Sequence, residues 1–258
     1  HSYSADPEDL MKTSLAIELL HNFTLVHDDI MDNANFRHGQ ESVHKKWDVS
    51  TAILTGDAIF VLSQLLLTGL PSIITQRFNE VSLNICEGQG MDKQFENDDS
   101  IIMGQYLIMI GKKTGALLGL CAELGGLLSG VNKENAHSLF KFGLNLGLAF
   151  QIQDDLLDVF GDKSSMGKNP GGDIYKNKKT ALTILAKENN SQKWNEFTRK
   201  HSKLSEYQSY FEKKNLKVEV EKVVKHYINK ANTALASAPE ADKQYLQNFT
   251  SMVLKRKF

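Results

Sequence analysis

Only four prolines, at positions 7, 71, 170 and 239, interrupt a chain of 258 residues. Proline breaks or kinks a helix because it lacks the donor and crowds the preceding turn, so its rarity leaves long stretches free to run as helix. The segments between carry apolar residues at helical spacing and few alternating β-branched runs, which predicts long helices and an all-α fold. With 41% hydrophobic residues the chain can bury a substantial core, and we expect a single domain over 1–258. The longest nearly apolar run, "IIMGQYLIMIG" at 101–111, is shorter than the roughly 20 residues of a bilayer span, and no basic, apolar leader opens the sequence. The expectation is a cytoplasmic protein with no membrane span. Cys86 and Cys121 are too few for a disulfide framework and lack zinc-ligand spacing, so both are expected as core thiols.

Charge is divided along the chain. Residues 189–258 hold 14 Lys and Arg against 7 Asp and Glu, while residues 1–188 hold 16 against 24. The basic end alternates lysine with acidic and apolar residues, as solvated amphipathic helices do, and carries no basic stripe interleaved with aromatics; nucleic-acid binding is not expected.

The acidic part of the chain carries two echoing stretches, "HNFTLVHDDIMDN" at 21–33 and "FQIQDDLLDVFGD" at 150–162. On a helix, residues four apart project within about 40° of each other, so Asp28 and Asp32 share one face, as do Asp154 and Asp158. Asp29 and Asp155 project roughly 100° away and either widen each claw or support it from behind. Leu25, Val26, Ile30 and Met31 flank the first cluster, and Ile152, Leu156, Leu157 and Val159 the second, so both helices are expected to be buried on their other faces. Carboxylates in such surroundings need a cation. Capping or salt bridging explains one acidic run; two matched runs without His or Cys among the donors favour a hard ion, Mg²⁺, which completes its shell with water and substrate phosphate. The implied ligand is a diphosphate. His27 lacks a zinc pattern and is expected to be packed or supporting.

A diphosphate also needs positive charge from the protein. "FRHGQ" supplies Arg37, "GKKTG" supplies Lys112, Lys113 and Thr114, and "GKNPGGDIYKNKKT" supplies Lys168, Lys176, Lys178 and Lys179. In the last stretch Gly167, Pro170, Gly171 and Gly172 make a loop whose backbone donors can approach phosphate. It is not a Walker loop, because the strand, the glycine spacing and the Lys-Ser/Thr end are missing.

Taken together, "DDIMD" with "RHG", "GDA" at 56–58, "EGQGMD" at 87–92, "KTG" at 113–115, "FQIQDDLLD" and "GKNPGGDIYKNKKT" resemble the trans-isoprenyl diphosphate synthases of the polyprenyl synthetase family, over nearly the whole chain up to about residue 185. The resemblance implies an isoprenoid synthase-type helical bundle of ten or more helices around a deep central cavity, and a homodimer. It implies that Asp28, Asp32 and Asp154 hold three Mg²⁺ ions on the diphosphate of an allylic substrate, supported by Asp29, Asp155 and Asp158. Arg37, Lys113, Lys168 and Lys178 would grip the same group, with Thr114, Gln151 and Asp92 nearby. His21 takes the place of a contact to the second substrate, isopentenyl diphosphate. The implied product is an all-trans C15 to C20 prenyl diphosphate, because Phe23, five residues before the first aspartate, and Thr24 set chain length by bulk.

Two departures stand out. The family has a second arginine where this chain has His38, which still offers a hydrogen bond to isopentenyl diphosphate. The family's Gly-Lys-x-x-Arg segment upstream of the first cluster is missing, and the opening "HSYSADPEDL" is read as lacking N-terminal helices. The alternatives are a class I terpene cyclase, which pairs its first cluster with a different Asn/Ser/Glu-type motif, and a non-catalytic partner subunit of a prenyl diphosphate synthase.

Overall fold

The computed structural model describes residues 4–161, 170–201, 203–238 and 243–255. Their regular structure is helical apart from one hairpin, β1 (Phe36–Arg37) antiparallel to β2 (Gln40–Glu41). They divide into two compact units. One holds the described residues up to Ser82 together with Leu124–Asn132; the other holds Leu83–Glu123 and those from Lys133 onward.

In the first unit, α1 (Pro7–Met31) starts where end chemistry dictates. The Asp6 carboxylate accepts the N–H groups of Glu8 and Asp9, Pro7 occupies a position where no N–H is needed, and Glu8 and Asp9 bring negative charge to the positive end of the helix. The helix ends within the acidic run. The Asp32 N–H still reaches the Asp28 carbonyl at 2.8 Å, and Asn33 then turns left-handed, with φ 49°. The hairpin reverses through His38 (φ 50°) and Gly39 (φ 78°), both left-handed, as a two-residue turn requires. After α2 (Val43–Lys46), α3 (Val49–Leu66) is capped by Asp48, which accepts from both the N–H and the hydroxyl of Thr51. α3 packs along α1. At Gly56 the approach leaves no room for a side chain: a Cβ there would lie 2.3 Å from His27 Nε2.

The second unit is built on α7 (Lys133–Phe160), which packs along α12 (Leu216–Ala236). A π-helical turn at Gly111–Gly115 joins α5 (Met103–Ile110) to α6 (Ala116–Leu128) and rests on α7. A Cβ on Gly143 would lie 2.2 Å from the Leu118 carbonyl oxygen, and one on Gly147 would lie 2.6 Å from Gly115 Cα. These are the close helix approaches that the small residues of 143–151 predict. Gly125, in the similar stretch 123–130, would meet nothing within 4 Å. The remaining helices are α4 (Ser72–Phe95), α8 (Gly172–Tyr175), α9 (Ala181–Asn189), α10 (Ser191–Lys200), α11 (Leu204–Lys213) and α13 (Gln244–Lys255). Trp194 of α10 gathers the rings of Phe197, Tyr207, Tyr210 and Phe211 into an aromatic core between α10 and α11.

Three expectations are corrected. Cys86 and Cys121 are exposed rather than core thiols: residue type marks both as apolar, but they lie on outward sides of α4 and α6. Around the first cluster Leu25, Val26 and Ile30 are only half-buried and Met31 is exposed, whereas Ile152, Leu156, Leu157 and Val159 beside the second are buried as expected. The most extended apolar element is α3, not 101–111. Asp57 hides it in a search for unbroken runs, yet α3 has the length and composition of a membrane-crossing helix, and its Ile53, Leu54, Val61, Leu62 and Leu65 are exposed.

Candidate active site

The end of α1 and the hairpin after it build the first acidic cluster. Asp29 is buried, 4% exposed, and receives the Arg37 guanidinium as a fork, with Nη2 2.6 Å and Nε 3.1 Å from Oδ1. Such a bidentate, charge-assisted pair fixes direction as well as distance. The hairpin is what carries Arg37 back onto α1. Its base is pinned by the Ser42 hydroxyl, which donates to the Ala34 carbonyl at 2.6 Å, and by Lys45 Nζ, which donates to Asn33 Oδ1 at 2.8 Å. Asp28 and Asp32 remain half-exposed. His38 is exposed at the turn, where its left-handed backbone is more common for His than for long aliphatic side chains.

One to two turns earlier, His21, Phe23 and Thr24 are all half-buried, and the Thr24 hydroxyl is turned back to the His21 carbonyl at 2.7 Å. The Phe23 ring lies 5.1 Å from Phe60 on α3 and meets His27 edge-on at 4.7 Å. His27 is packed, as expected, with Nε2 3.3 Å from the Ile53 carbonyl.

The second cluster lies near the end of α7. Asp154 is half-exposed, whereas Asp155 and Asp158 are buried, at 4% and 1% exposed. Asp155 Oδ2 accepts from the Tyr106 hydroxyl at 2.6 Å and the Ala181 N–H at 2.9 Å, and its Oδ1 accepts from Gln151 Nε2 at 3.3 Å. Burial pushes the Asp155 carboxyl up to about 7 against these donors, which favour the charged form. Burial beside this carboxylate also drives the Tyr106 phenol well above its ordinary value. Asp158 does not present itself as Asp154 does. Its Oδ2 accepts the Asp173 N–H at 3.0 Å, and its carbonyl accepts the Gly171 N–H, so it fastens the segment around α8 to the end of α7.

The π-turn supplies the basic and polar groups of this unit. Lys113 Nζ pairs with Asp92 Oδ2 at 2.6 Å, Lys112 pairs with Glu87, and the Thr114 hydroxyl donates to Gln151 Oε1 at 3.1 Å. The turn seats on α4 at Gly88, where a Cβ would lie 2.4 Å from the Lys113 nitrogen. Lys178 is held by its backbone: its N–H donates to the Asp173 carbonyl at 2.9 Å, and its own carbonyl accepts from Thr180 N–H at 3.1 Å. Lys168 and Gly167 lie outside the described residues. Sequence reasoning missed Tyr106 and Gly88. A phenol inside the apolar stretch 101–111 was a signal, because a buried hydroxyl needs a partner.

Among the described residues, no group of three or more His, Cys, Asp or Glu side chains converges as a ready-made metal cage. Asp28 and Asp32 in the first unit and Asp154 in the second are half-exposed and offer only oxygen as a donor, the ligand type magnesium takes beside waters and phosphate oxygens.

The polyprenyl synthetase family model matches residues 2–217. A geranylgeranyl pyrophosphate synthase of Geoglobus acetivorans is 41% identical over 187 residues, covering 70% of this chain and 58% of that protein. A geranylfarnesyl diphosphate synthase of Natronomonas pharaonis is 37% identical over 193 residues, 72% of this chain and 57% of that protein. The chain therefore spans between half and two thirds of the length of these curated relatives. Among solved structures, a geranylgeranyl pyrophosphate synthetase from Pyrococcus horikoshii aligns with a TM-score of 0.90 at 33% identity, over 98% of this chain and 82% of that one. A polyprenyl synthase from Caulobacter crescentus, solved with calcium and isoprenyl diphosphate, aligns with a TM-score of 0.88 at 28% identity, over 99% of this chain and 81% of that one.

Proposed function

Because the chain belongs to the polyprenyl synthetase family and has its all-α isoprenoid synthase fold, we propose that it is a magnesium-dependent trans-prenyltransferase of the cytoplasm, joining isopentenyl diphosphate head-to-tail to an allylic diphosphate. The product is an all-trans C15 to C20 prenyl diphosphate. The observation that carries this reading is a division of labour common to both clusters. In each, the middle aspartate is buried, Asp29 against Arg37 and Asp155 against Tyr106 and Ala181, while Asp28, Asp32 and Asp154 are half-exposed; in the second cluster Asp158 is buried as well.

Asp28, Asp32 and Asp154 would hold a set of three magnesium ions. When bound, magnesium draws negative charge from the leaving diphosphate. Arg37, Lys113, Lys168 and Lys178 bind the same diphosphate, and His21 and His38 bind isopentenyl diphosphate. The allylic C–O bond breaks with its electron pair leaving on the diphosphate. The alkene of isopentenyl diphosphate then attacks the allylic cation, and a proton lost to the released diphosphate restores a double bond. Thr114 and Gln151, already bonded to each other, turn oxygen dipoles toward the developing positive charge. Phe23 and Phe150 help exclude water, which would trap the cation as an alcohol. The exposed apolar side of α3 is the surface by which two copies pair as a homodimer.

The test is incubation of the full-length protein with Mg²⁺, labelled isopentenyl diphosphate and allylic primers of C5, C10 and C15 length. Elongated all-trans products are expected. Cyclic hydrocarbons from the primer alone would indicate a cyclase. No conversion of any primer would indicate a non-catalytic partner subunit.

A further inference from the structure

We infer that Tyr106 is a positioning residue for the second acidic cluster: its buried hydroxyl fixes the Asp155 carboxylate, which aligns three chain segments bearing groups of the proposed reaction. Tyr106 is 1% exposed on α5, and its hydroxyl lies 2.6 Å from Asp155 Oδ2 on α7. The same oxygen accepts the N–H of Ala181, the first residue of α9, at 2.9 Å. Lys178 lies three residues before that N–H, on a segment whose Thr180 N–H and Thr183 hydroxyl bond the Lys178 carbonyl. The other carboxylate oxygen accepts from Gln151, which in turn accepts from Thr114 in the π-turn. One buried carboxylate therefore ties α5, α7, the π-turn and the start of α9 together. Its direct neighbour Asp154 takes its direction from the same turn of α7.

The physical force of the arrangement comes from burial. A carboxylate away from water keeps its orientation only while its donors satisfy it, and a hydrogen bond to a charged group inside a protein is about twice as strong as a neutral one. Replacing the phenol by a benzene ring keeps the volume and removes one donor. Asp155 is then free to rotate toward Gln151 or away from Ala181, and the Lys178 segment loses its anchor. Errors of about 1 Å in such positions cost on the order of 100-fold in rate.

The inference rests on the function proposed above, and Tyr106→Phe tests it by two readouts that fail independently. In the condensation assay, kcat is expected to fall roughly 10- to 100-fold and KM for the allylic diphosphate to rise, with KM for isopentenyl diphosphate unchanged. By hydrogen exchange, the amides of residues 178–185 are expected to exchange faster, with those of α11 and α12 unchanged. Ala181→Pro removes the other donor to the same oxygen at a first helical position, where proline is tolerated and where the extended Thr180 before it already suits proline. It is expected to give the same kinetic split, and it carries the test if Tyr106→Phe does not fold. Wild-type kcat, KM and exchange in Tyr106→Phe would overturn the positioning role. Faster exchange in a protein whose wild type elongates nothing would uphold the structural tie and overturn the proposed function instead.

Discussion

The most informative single residue is Asp155, a carboxylate whose charge its surroundings oppose and its donors support. Its pKa rises from 3.8 to about 7 on folding. Between those values the folded state holds the proton more tightly than the unfolded chain, so stability falls as pH rises from about 4 to about 7 and levels off above. In magnesium-free buffer the urea midpoint of the wild type is expected to decline across that window, and that of Asp155→Asn to decline less; equal slopes would contradict the assignment. Phe23 makes a second residue-scale prediction. Its ring packs against Phe60 and His27 at half-buried positions, so Phe23→Ala opens the space that bulk now fills. Product analysis should show chains longer by one or more C5 units, and an unchanged distribution would remove Phe23 from the control of length.

Among the elements, the π-turn at Gly111–Gly115 is the least ordinary. A π-turn offsets the helix register by one residue and is common at functional sites. Here it presents Lys113 to Asp92 and Thr114 to Gln151. Because Gly88 leaves no room for a methyl group against the Lys113 backbone, Gly88→Ala is expected to lower kcat at least tenfold and to cost about 1–3 kcal/mol of stability, read by denaturation alongside the assay. Normal kinetics would show that the turn tolerates the shift. Much of the element structure was legible in the sequence. Rare prolines and helical spacing marked long helices, and five of the six aspartates lie on them, Asp28 and Asp29 on α1 and Asp154, Asp155 and Asp158 on α7, whereas Asp32 is the residue that caps α1. What was not legible was direction around each helix. Asp158 and Asp154 share a nominal face, yet one is buried against the segment around α8 and the other is accessible, because tertiary partners decide which side of a helix is covered. The hairpin escaped as well: two residues per strand are too few to show alternation, and only the His38-Gly39 pair marked the turn. The π-helical form of Gly111–Gly115 escaped too, because Gly-Lys-Lys-Thr-Gly carries no signal that separates one extra residue in a helical turn from an ordinary one.

For the whole molecule, α3 is the feature that one copy leaves unexplained. Its Leu54, Val61, Leu62 and Leu65 are each more than half exposed; large exposed apolar patches mark interaction sites, and pairing of two copies is the proposed cover. Leu54→Glu combined with Leu65→Glu should halve the mass found by light scattering, whereas a dimer unaffected by both charges would put the interface elsewhere. The proposed reaction needs both acidic clusters to serve one ionising diphosphate. The most direct measurement is the magnesium-dependent rate of condensation in Asp28→Ala, in Asp154→Ala and in the double variant of the full-length protein. Each single change is expected to lower kcat on the order of 100- to 1,000-fold, with the double variant little worse than either, as groups acting together behave. Wild-type turnover in either single variant would contradict it.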